Sequence, residues 1–212
     1  MSDTPDPAGP GAGARADRAA RVAAMKAAER SRARRRRALV VAIPTVAVLA
    51  VAGTVTAVFL NRPEPPSLDA VRTFDYAASE HTTDPVAYEQ TPPAGGPHDP
   101  TWLNCGVYDA PVPNENAVHS MEHGAVWITY RPDLPADQVE ELRSAVAGET
   151  YTVLSPYEGL PSPVVLSAWN NQLAVDSAED PRIDAFLAKF VQGAQTPEPG
   201  ALCSNGTGTP TG

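Results

Sequence analysis

The chain has 212 residues, of which 42% are hydrophobic and 19% are charged, and its formal net charge is -9. This length fits one modest folded domain with appendages and excludes a large multi-domain enzyme. Residues 1–37 hold ten Lys and Arg against four Asp and Glu, whereas the rest of the chain holds six against twenty-one. Because binding to phosphates requires clustered Lys and Arg on the folded part, the acidic balance there excludes nucleic acid as the main partner.

The N-terminal region is predicted to anchor the chain in a lipid bilayer. Residues 1–37 form a basic tail, in which residues 1–13 are too rich in Pro and Gly to fold and residues 14–37 favour a helix. The uncharged run 38–60 is long enough, as a helix, to cross the ~30 Å hydrocarbon layer. Because Lys and Arg mark the cytoplasmic side of a membrane helix, we expect a cytoplasmic N-terminus and an extracytoplasmic C-terminal domain.

A cleaved secretory signal peptide is the competing interpretation of the same run. The sequence Val55-Thr56-Ala57 loosely resembles a cleavage site, and a mature chain that begins near Val58 would support cleavage. We prefer an uncleaved, single-pass anchor in the cell membrane, because a signal core spans only ~7–15 residues.

The two cysteines, Cys105 and Cys203, are predicted to form one disulfide bond. Both lie in the part of the chain that is expected outside the membrane, where an oxidising compartment favours pairing. Such a bond would stabilise the domain by up to ~4 to 5 kcal/mol in the chain-entropy model. In the alternative interpretation, Cys105 is a free thiolate that binds a metal ion.

The chain beyond the membrane run is predicted to form a stalk and an extracytoplasmic domain. The stalk covers residues 61–74 and is rich in proline. Residues 82–113 contain seven prolines, which exclude helix over most of the segment and favour an ordered arm of loops and short extended pieces. We assign the domain to residues 75–204 and predict a disordered tail over residues 205–212.

Regular elements are predicted after Pro113. The predicted helices span residues 114–123, 136–148 and 182–191. The predicted strands span residues 125–130, 151–154, 164–169 and 172–175. Asn114 is expected to cap the first helix, and Asn170-Asn171 to form the tight turn before the last strand. The domain is therefore predicted to be α+β, with a small, mostly antiparallel sheet and two or three helices, preceded by one transmembrane helix.

The histidines are the strongest candidates for chemistry, since all four lie between residues 81 and 123. His119 and His123 are four residues apart on a predicted helix, so both imidazoles can face one ion. The preceding Pro- and Gly-rich segment could bring His98 to this pair, with His81 as the fourth ligand.

Two carboxylates near these histidines, Glu122 and Asp99, are alternative ligands. Imidazole suits Zn²⁺ or Cu²⁺, so the pattern predicts a copper or zinc site. The chain has neither a phosphate-binding glycine loop nor a CxxC pair, and we expect no nucleotide cofactor.

Two alternatives to simple metal binding stay open. Residues 119–123 match the H-x-x-E-H pattern of inverzincin proteases, in which two histidines hold Zn²⁺ and the glutamate acts as a base. Glu122 would be catalytic only in such a hydrolase, which the short predicted helix disfavours. In the other alternative, the histidines bond to buried loop backbone in a metal-free structural or interaction module, with an unidentified partner at the cell envelope.

Three segments of the chain are distinctive in their amino-acid sequence and in their order along the chain. They are PPAGGPHDPTWLNCGVYDAPVPNENAVHSMEHGAVWITYRP, PVVLSAWNNQL and RIDAFLAKF, and a late cysteine follows them. Over about residues 75–204 the chain resembles a family of membrane-anchored bacterial proteins, the domain-of-unknown-function family 3105. It departs from the usual pattern at Gly95, where Ser is frequent, and at Met121, where Leu is usual. The resemblance implies an anchored extracytoplasmic domain of unassigned activity. It also implies that the sequence motifs of the family include His98, His119, Glu122 and His123.

Overall fold

The structure is a computed structural model that describes residues 11–60 and 66–211, apart from the side chains of residues 11–14, 43–49, 58 and 59. The chain divides into two compact units, Met1–Glu64 and Pro65–Gly212. The first unit contains one long helix and the second contains the sheet.

Helix α1 (Gly11–Leu60) is continuous over 50 residues. It begins within the segment 1–13 that was predicted not to fold, because the Ala- and Arg-rich sequence extends the helix towards the N-terminus. Residues 1–10 of that segment lie outside the described residues. Among the residues that the structure describes, no helix combines the length and the apolar composition that crossing a membrane requires. The transmembrane helix predicted over residues 38–60, part of which lies outside the described side chains, therefore has no support from the structure.

The second unit is built on a six-stranded mixed sheet. Its strands are β1 (Arg72–Thr73), β2 (Gly106–Val107), β3 (Val126–Tyr130), β4 (Thr152–Pro156), β5 (Val164–Ala168) and β6 (Asn171–Val175). Their order across the sheet is β1-β6-β5-β3-β4-β2. The β1/β6, β6/β5 and β5/β3 pairs are antiparallel, whereas the β3/β4 and β4/β2 pairs are parallel.

The α+β class is confirmed, but the prediction of a small, mostly antiparallel sheet needs correction. Helix α3 (Ala136–Val146) connects β3 to β4, and a helical crossover of this kind returns the chain in the same direction. Strand β2 then adds a second parallel pair at the edge. The sheet is therefore mixed.

The remaining helices are α2 (Asn114–Glu122) and α4 (Arg182–Phe190). The predicted cap at Asn114 is wrong: Pro113 occupies the N-cap position with extended backbone, and none of the described side chains caps the helix. The predicted turn at Asn170-Asn171 is displaced by one residue. Ala168 pairs with Asn171, so Trp169 and Asn170 form the turn, and Asn170 has a φ of 62°.

Strand β3 is buried on both faces and separates two hydrophobic clusters. Successive side chains of a strand point to opposite faces. Ile128 packs with Phe186 of α4 and with residues of α3. Trp127 packs in the other cluster with Val118 and Met121 of α2. Helix α2 therefore lies against the opposite face of the sheet from α3 and α4.

The C-terminal segment packs along the start of the domain. Cys105 and Cys203 lie at disulfide distance and are joined, with their Cα atoms 5.3 Å apart. This bond confirms the predicted pair and leaves no thiolate for the alternative in which Cys105 binds a metal ion.

The disorder predicted for residues 205–212 does not agree with the structure of residues 205–211. Thr207 N donates to Trp102 O at 2.9 Å, and Thr207 O accepts from Asn104 N at 2.8 Å. Thr211 N donates to Val107 O at 2.7 Å. Backbone pairing with residues 102–107 orders a tail whose composition alone favours disorder. Residue 212 lies outside the described residues.

Candidate metal centre

A cluster of histidines surrounds the buried end of α2. We call it the histidine cluster, and its members are His81, His98, His119, Glu122 and His123. Neighbouring imidazoles are in ring contact, with centroid distances of 4.9 Å for His81 and His119, 4.9 Å for His98 and His119, and 4.5 Å for His119 and His123. The structure thus brings all four sequence-predicted histidines together, with Glu122 among them.

Backbone pairing and two glycines position the histidines that precede α2. His81 and His98 form a β-bridge, in which Thr82 N donates to His98 O at 2.8 Å. Gly95 and Gly96 have φ values of 146° and 103°, and a Cβ atom at Gly95 would lie 2.8 Å from the ring of Tyr76. The GGPH sequence therefore permits a close approach that side chains would block.

The turn after α2 brings a later segment to the cluster. Gly124 has a φ of 97°, and a Cβ atom there would lie 2.9 Å from Thr196 Cγ2. Gln192 N donates to Gly124 O at 2.9 Å, and Glu198 N donates to Glu122 O at 3.1 Å. These bonds hold residues 192–198 against the end of α2.

Backbone carbonyls orient three of the imidazoles. The Nδ1 atoms of His98, His119 and His123 bond to the carbonyl oxygens of Gly96, Asp99 and Leu202 at 2.8, 2.6 and 2.7 Å. A carbonyl oxygen only accepts, so each Nδ1 atom carries the hydrogen and donates it. In a neutral imidazole, the Nε2 atom then presents a lone pair. Metal-binding histidines are commonly held by such bonds through the other ring nitrogen.

The Nε2 atoms converge on other acceptors. His98 Nε2 lies 3.0 Å from Glu122 Oε2, and His119 Nε2 lies 2.9 Å from His123 Nε2. His81 Nε2 lies 3.6 Å from Glu122 Oε2. When the imidazoles are neutral, each of the two short contacts, at 3.0 and 2.9 Å, brings two lone pairs together. Each of the two short contacts therefore requires a proton or a cation between its atoms.

Because these contacts are buried, the need for a proton or a cation between their atoms is greater. The side chains of His98 and Glu122 are fully buried, whereas that of His81 is 39% exposed. One ligand atom each from His81, His98, His119 and Glu122 lies within 4.8 Å of the other three, so this group could hold a metal ion. Its only solvent-facing member is His81.

The electrostatics of the cluster favour a charged carboxylate. Burial raises the pKa of Glu122, but the hydrogen bonds from His98 and from Ser79 N–H outweigh it and lower the pKa to about 2. Burial lowers the pKa of His98, but the hydrogen bonds of His98 to Glu122 and to Gly96 O outweigh burial. The pKa of His98 is therefore raised. Burial is the largest cause of the lowered pKa of His119. At neutral pH, Glu122 is an anion and His119 is uncharged.

The two alternative carboxylate ligands differ in their placement. Glu122 Oε1 accepts from Ser79 N at 2.6 Å, and its Oε2 faces His98, so both oxygens are engaged within the cluster. This geometry does not favour the general-base role of a hydrolase. Asp99 Oδ1 instead accepts from Thr101 N at 2.7 Å, and only the backbone oxygen of Asp99 reaches His119.

Two residues at the cluster were missed by sequence reasoning. Glu198 Oε2 lies 3.5 Å from His123 Nε2. The ring of Trp102 contacts the rings of His119 and His123 at tilts of 56° and 52°, with centroid distances of 5.9 and 5.1 Å. The predicted disulfide was the one available signal, because it places the C-terminal segment near residue 105.

The fold and the site together define an α+β domain with a buried histidine and carboxylate group that could hold a metal ion. Residues 80–205, more than half of the chain, match the model of the family described as "Protein of unknown function (DUF3105)", and the chain belongs to this family. The resemblance found in the sequence is thereby confirmed at the level of the family. No curated protein and no solved structure matches the chain.

Proposed function

We propose that this chain is a transition-metal-binding protein of the bacterial cell envelope, which holds Zn²⁺ or Cu²⁺ in the histidine cluster outside the membrane. The observation that carries the proposal is the convergence of Nε2 lone pairs. His119 Nε2 faces His123 Nε2 at 2.9 Å, while both rings donate through Nδ1 to backbone oxygens. A cation between the two lone pairs would convert a repulsive contact into coordination.

The donor set determines the class of ion. Four imidazoles with one carboxylate suit borderline metals such as Zn²⁺ and Cu²⁺, whereas Mg²⁺ and Ca²⁺ prefer oxygen ligands. Because metal binding displaces protons from its ligands, uptake should weaken at acidic pH.

Metal analysis of the purified full-length chain tests this proposal. After exposure to Zn²⁺ or Cu²⁺ and removal of free metal, we expect stoichiometric retention by the unchanged chain. The double variant His119→Gln/His123→Gln removes two ligands and should lose at least half of the retained metal. Trp102→Phe is the matched control, since this ring contacts both imidazoles but offers no ligand atom. An unchanged chain that retains no metal would show that the proposal is wrong.

We also propose that residues 38–60 anchor the chain in a membrane, with the basic N-terminus in the cytoplasm. The support is the sequence pattern of an uncharged run beside a cluster of arginines. The full chain should stay in bacterial membranes during an alkaline carbonate wash. Val51→Arg/Val55→Arg should release it, because each charge at mid-membrane costs ~2.5–3.5 kcal/mol. Val22→Arg, outside the run, is the control, and release of the unchanged chain would contradict the anchor.

A further inference from the structure

The donors around the histidine cluster fall into two groups of the same chemistry. We define the first ligand set as His81, His98 and Glu122, and the second ligand set as His119, His123 and Glu198. Each set contains two imidazoles and one carboxylate. The second set is completed by Glu198, which comes from the segment held against the end of α2.

One contact within each set has the spacing of ligands around one ion. In the first set, Glu122 Oε2 lies 3.0 Å from His98 Nε2 and 3.6 Å from His81 Nε2. In the second set, His123 Nε2 lies 2.9 Å from His119 Nε2 and 3.5 Å from Glu198 Oε2. Bonds of ~2.0–2.2 Å from a tetrahedral ion place two ligand atoms ~3.3–3.6 Å apart. The contacts of His81 and Glu198, at 3.6 and 3.5 Å, have this spacing, whereas the contacts at 3.0 and 2.9 Å are shorter and would have to open slightly to admit an ion.

The number of donors exceeds the requirement of one ion. A four-coordinate Zn²⁺ uses four ligands, whereas the two sets together offer six. Glu122 and Glu198 contact different imidazoles, His98 for the former and His123 for the latter. His119 lies within 4.8 Å of the donors of the first set, so two ions would be close neighbours. Pairs of ions ~3.5–4 Å apart are a recurrent arrangement in enzymes and metal sites.

Each set also has one solvent-accessible donor. The side chain of His81 is 39% exposed and that of Glu198 is 43% exposed, while their partners are almost completely buried. An ion could therefore reach each set from solvent through its own exposed ligand. Three protein donors per ion would leave a coordination position for water or for an anion.

We propose that this cluster is a two-ion centre, in which each ligand set binds one Zn²⁺ or Cu²⁺ ion. The proposal deepens the metal-binding function proposed above and rests on it. Glu198 and His81 are then ligands of different ions, so each can be removed without loss of the other ion.

Stoichiometry in the full-length chain tests the two-ion centre. After loading with Zn²⁺ and desalting, we expect two ions per chain, and one ion per chain in Glu198→Gln and in His81→Gln. Glu158→Gln, which makes the same change of charge at an exposed site, should retain two ions. One ion in the unchanged chain would overturn the two-ion centre while leaving the proposed metal-binding function intact. No ion would overturn both, and two ions in Glu198→Gln would overturn the assignment of the second set.

A magnetic measurement on the unchanged chain does not depend on the folding of any variant. With Cu²⁺ in both sets, dipolar coupling should broaden the paramagnetic resonance spectrum and reduce the resolved signal. The unchanged chain carrying two Cu²⁺ ions should therefore give less than half of the resolved signal expected for isolated ions. Two ions with the full signal of isolated Cu²⁺ would place them far apart and overturn the proposal.

Discussion

The two faces of the sheet differ in what holds their residues in place. The face that packs on α3 and α4 is apolar, with Ile128, Leu142 and Phe186 completely buried. The face that packs on α2 is apolar near Trp127 but ends in buried polar groups, among them His98 and Glu122. The first face is complete without a ligand, whereas the second leaves opposed lone pairs that need a proton or a cation. The difference separates residues that stabilise the fold from residues that serve the site.

The largest expected effect is on the apolar face. Phe186→Ala should lower the free energy of unfolding by about 3–5 kcal/mol, because it leaves a cavity in a fully buried position. The loss should be equal with and without metal, as measured by urea unfolding of the full chain. Asp184→Ala, at an exposed position of the same helix, should change little. If the loss of unfolding free energy in Phe186→Ala disappeared when metal is removed, the two faces of the sheet would not be independent.

Acid should weaken the polar face specifically in the metal-free chain. The pKa of Glu122 is lowered from its ordinary 4.5 to about 2, so the folded state favours the carboxylate. The stability that this group contributes is complete above pH ~4.5 and is lost as the pH falls towards 2, by an amount on the order of 3 kcal/mol. In Glu122→Gln, whose amide can donate to His98, this part of the pH dependence should disappear. Equal acid sensitivity in both chains would contradict the assignment.

Removal of each metal ion should have a somewhat smaller effect. A ligand that binds only the folded state at a hundredfold excess over its dissociation constant stabilises it by about 2.7 kcal/mol. A chelator should therefore lower the unfolding free energy of the Zn²⁺-loaded chain by about that amount for each ion that it removes. It should shift the unfolding free energy of His119→Gln/His123→Gln by half as much or less, and an equal shift in both chains would indicate a metal effect outside the second ligand set.

Local patterns in the sequence predict many elements of the domain, because their signals lie within a few residues. The spacing of Ile183, Phe186 and Phe190 predicts α4, and β-branched residues predict β3. The four-residue spacing of His119 and His123 likewise predicts that their imidazoles meet, and their Nε2 atoms lie 2.9 Å apart.

The features that the sequence did not predict depend on backbone pairing between segments that are far apart in the chain. The β3/β4 and β4/β2 pairs are parallel, and nothing in the sequences of these segments indicates whether they pair in parallel or antiparallel. Glu198 reaches His123 because residues 192–198 pair with the end of α2, where Gly124 makes room for them. The tail is ordered by its bonds to residues 102–107, which its composition could not reveal.

X-ray absorption spectroscopy at the zinc edge of the Zn²⁺-loaded, full-length chain identifies the ligands of the bound ion. We expect nitrogen and oxygen ligands at ~2.0–2.2 Å, with the multiple scattering that imidazole rings produce. In His119→Gln/His123→Gln, the zinc content per chain, and with it the height of the absorption edge, should fall to half or less. A shell of oxygen ligands alone, without imidazole scattering in the unchanged chain, would show that the histidine cluster does not bind the ion.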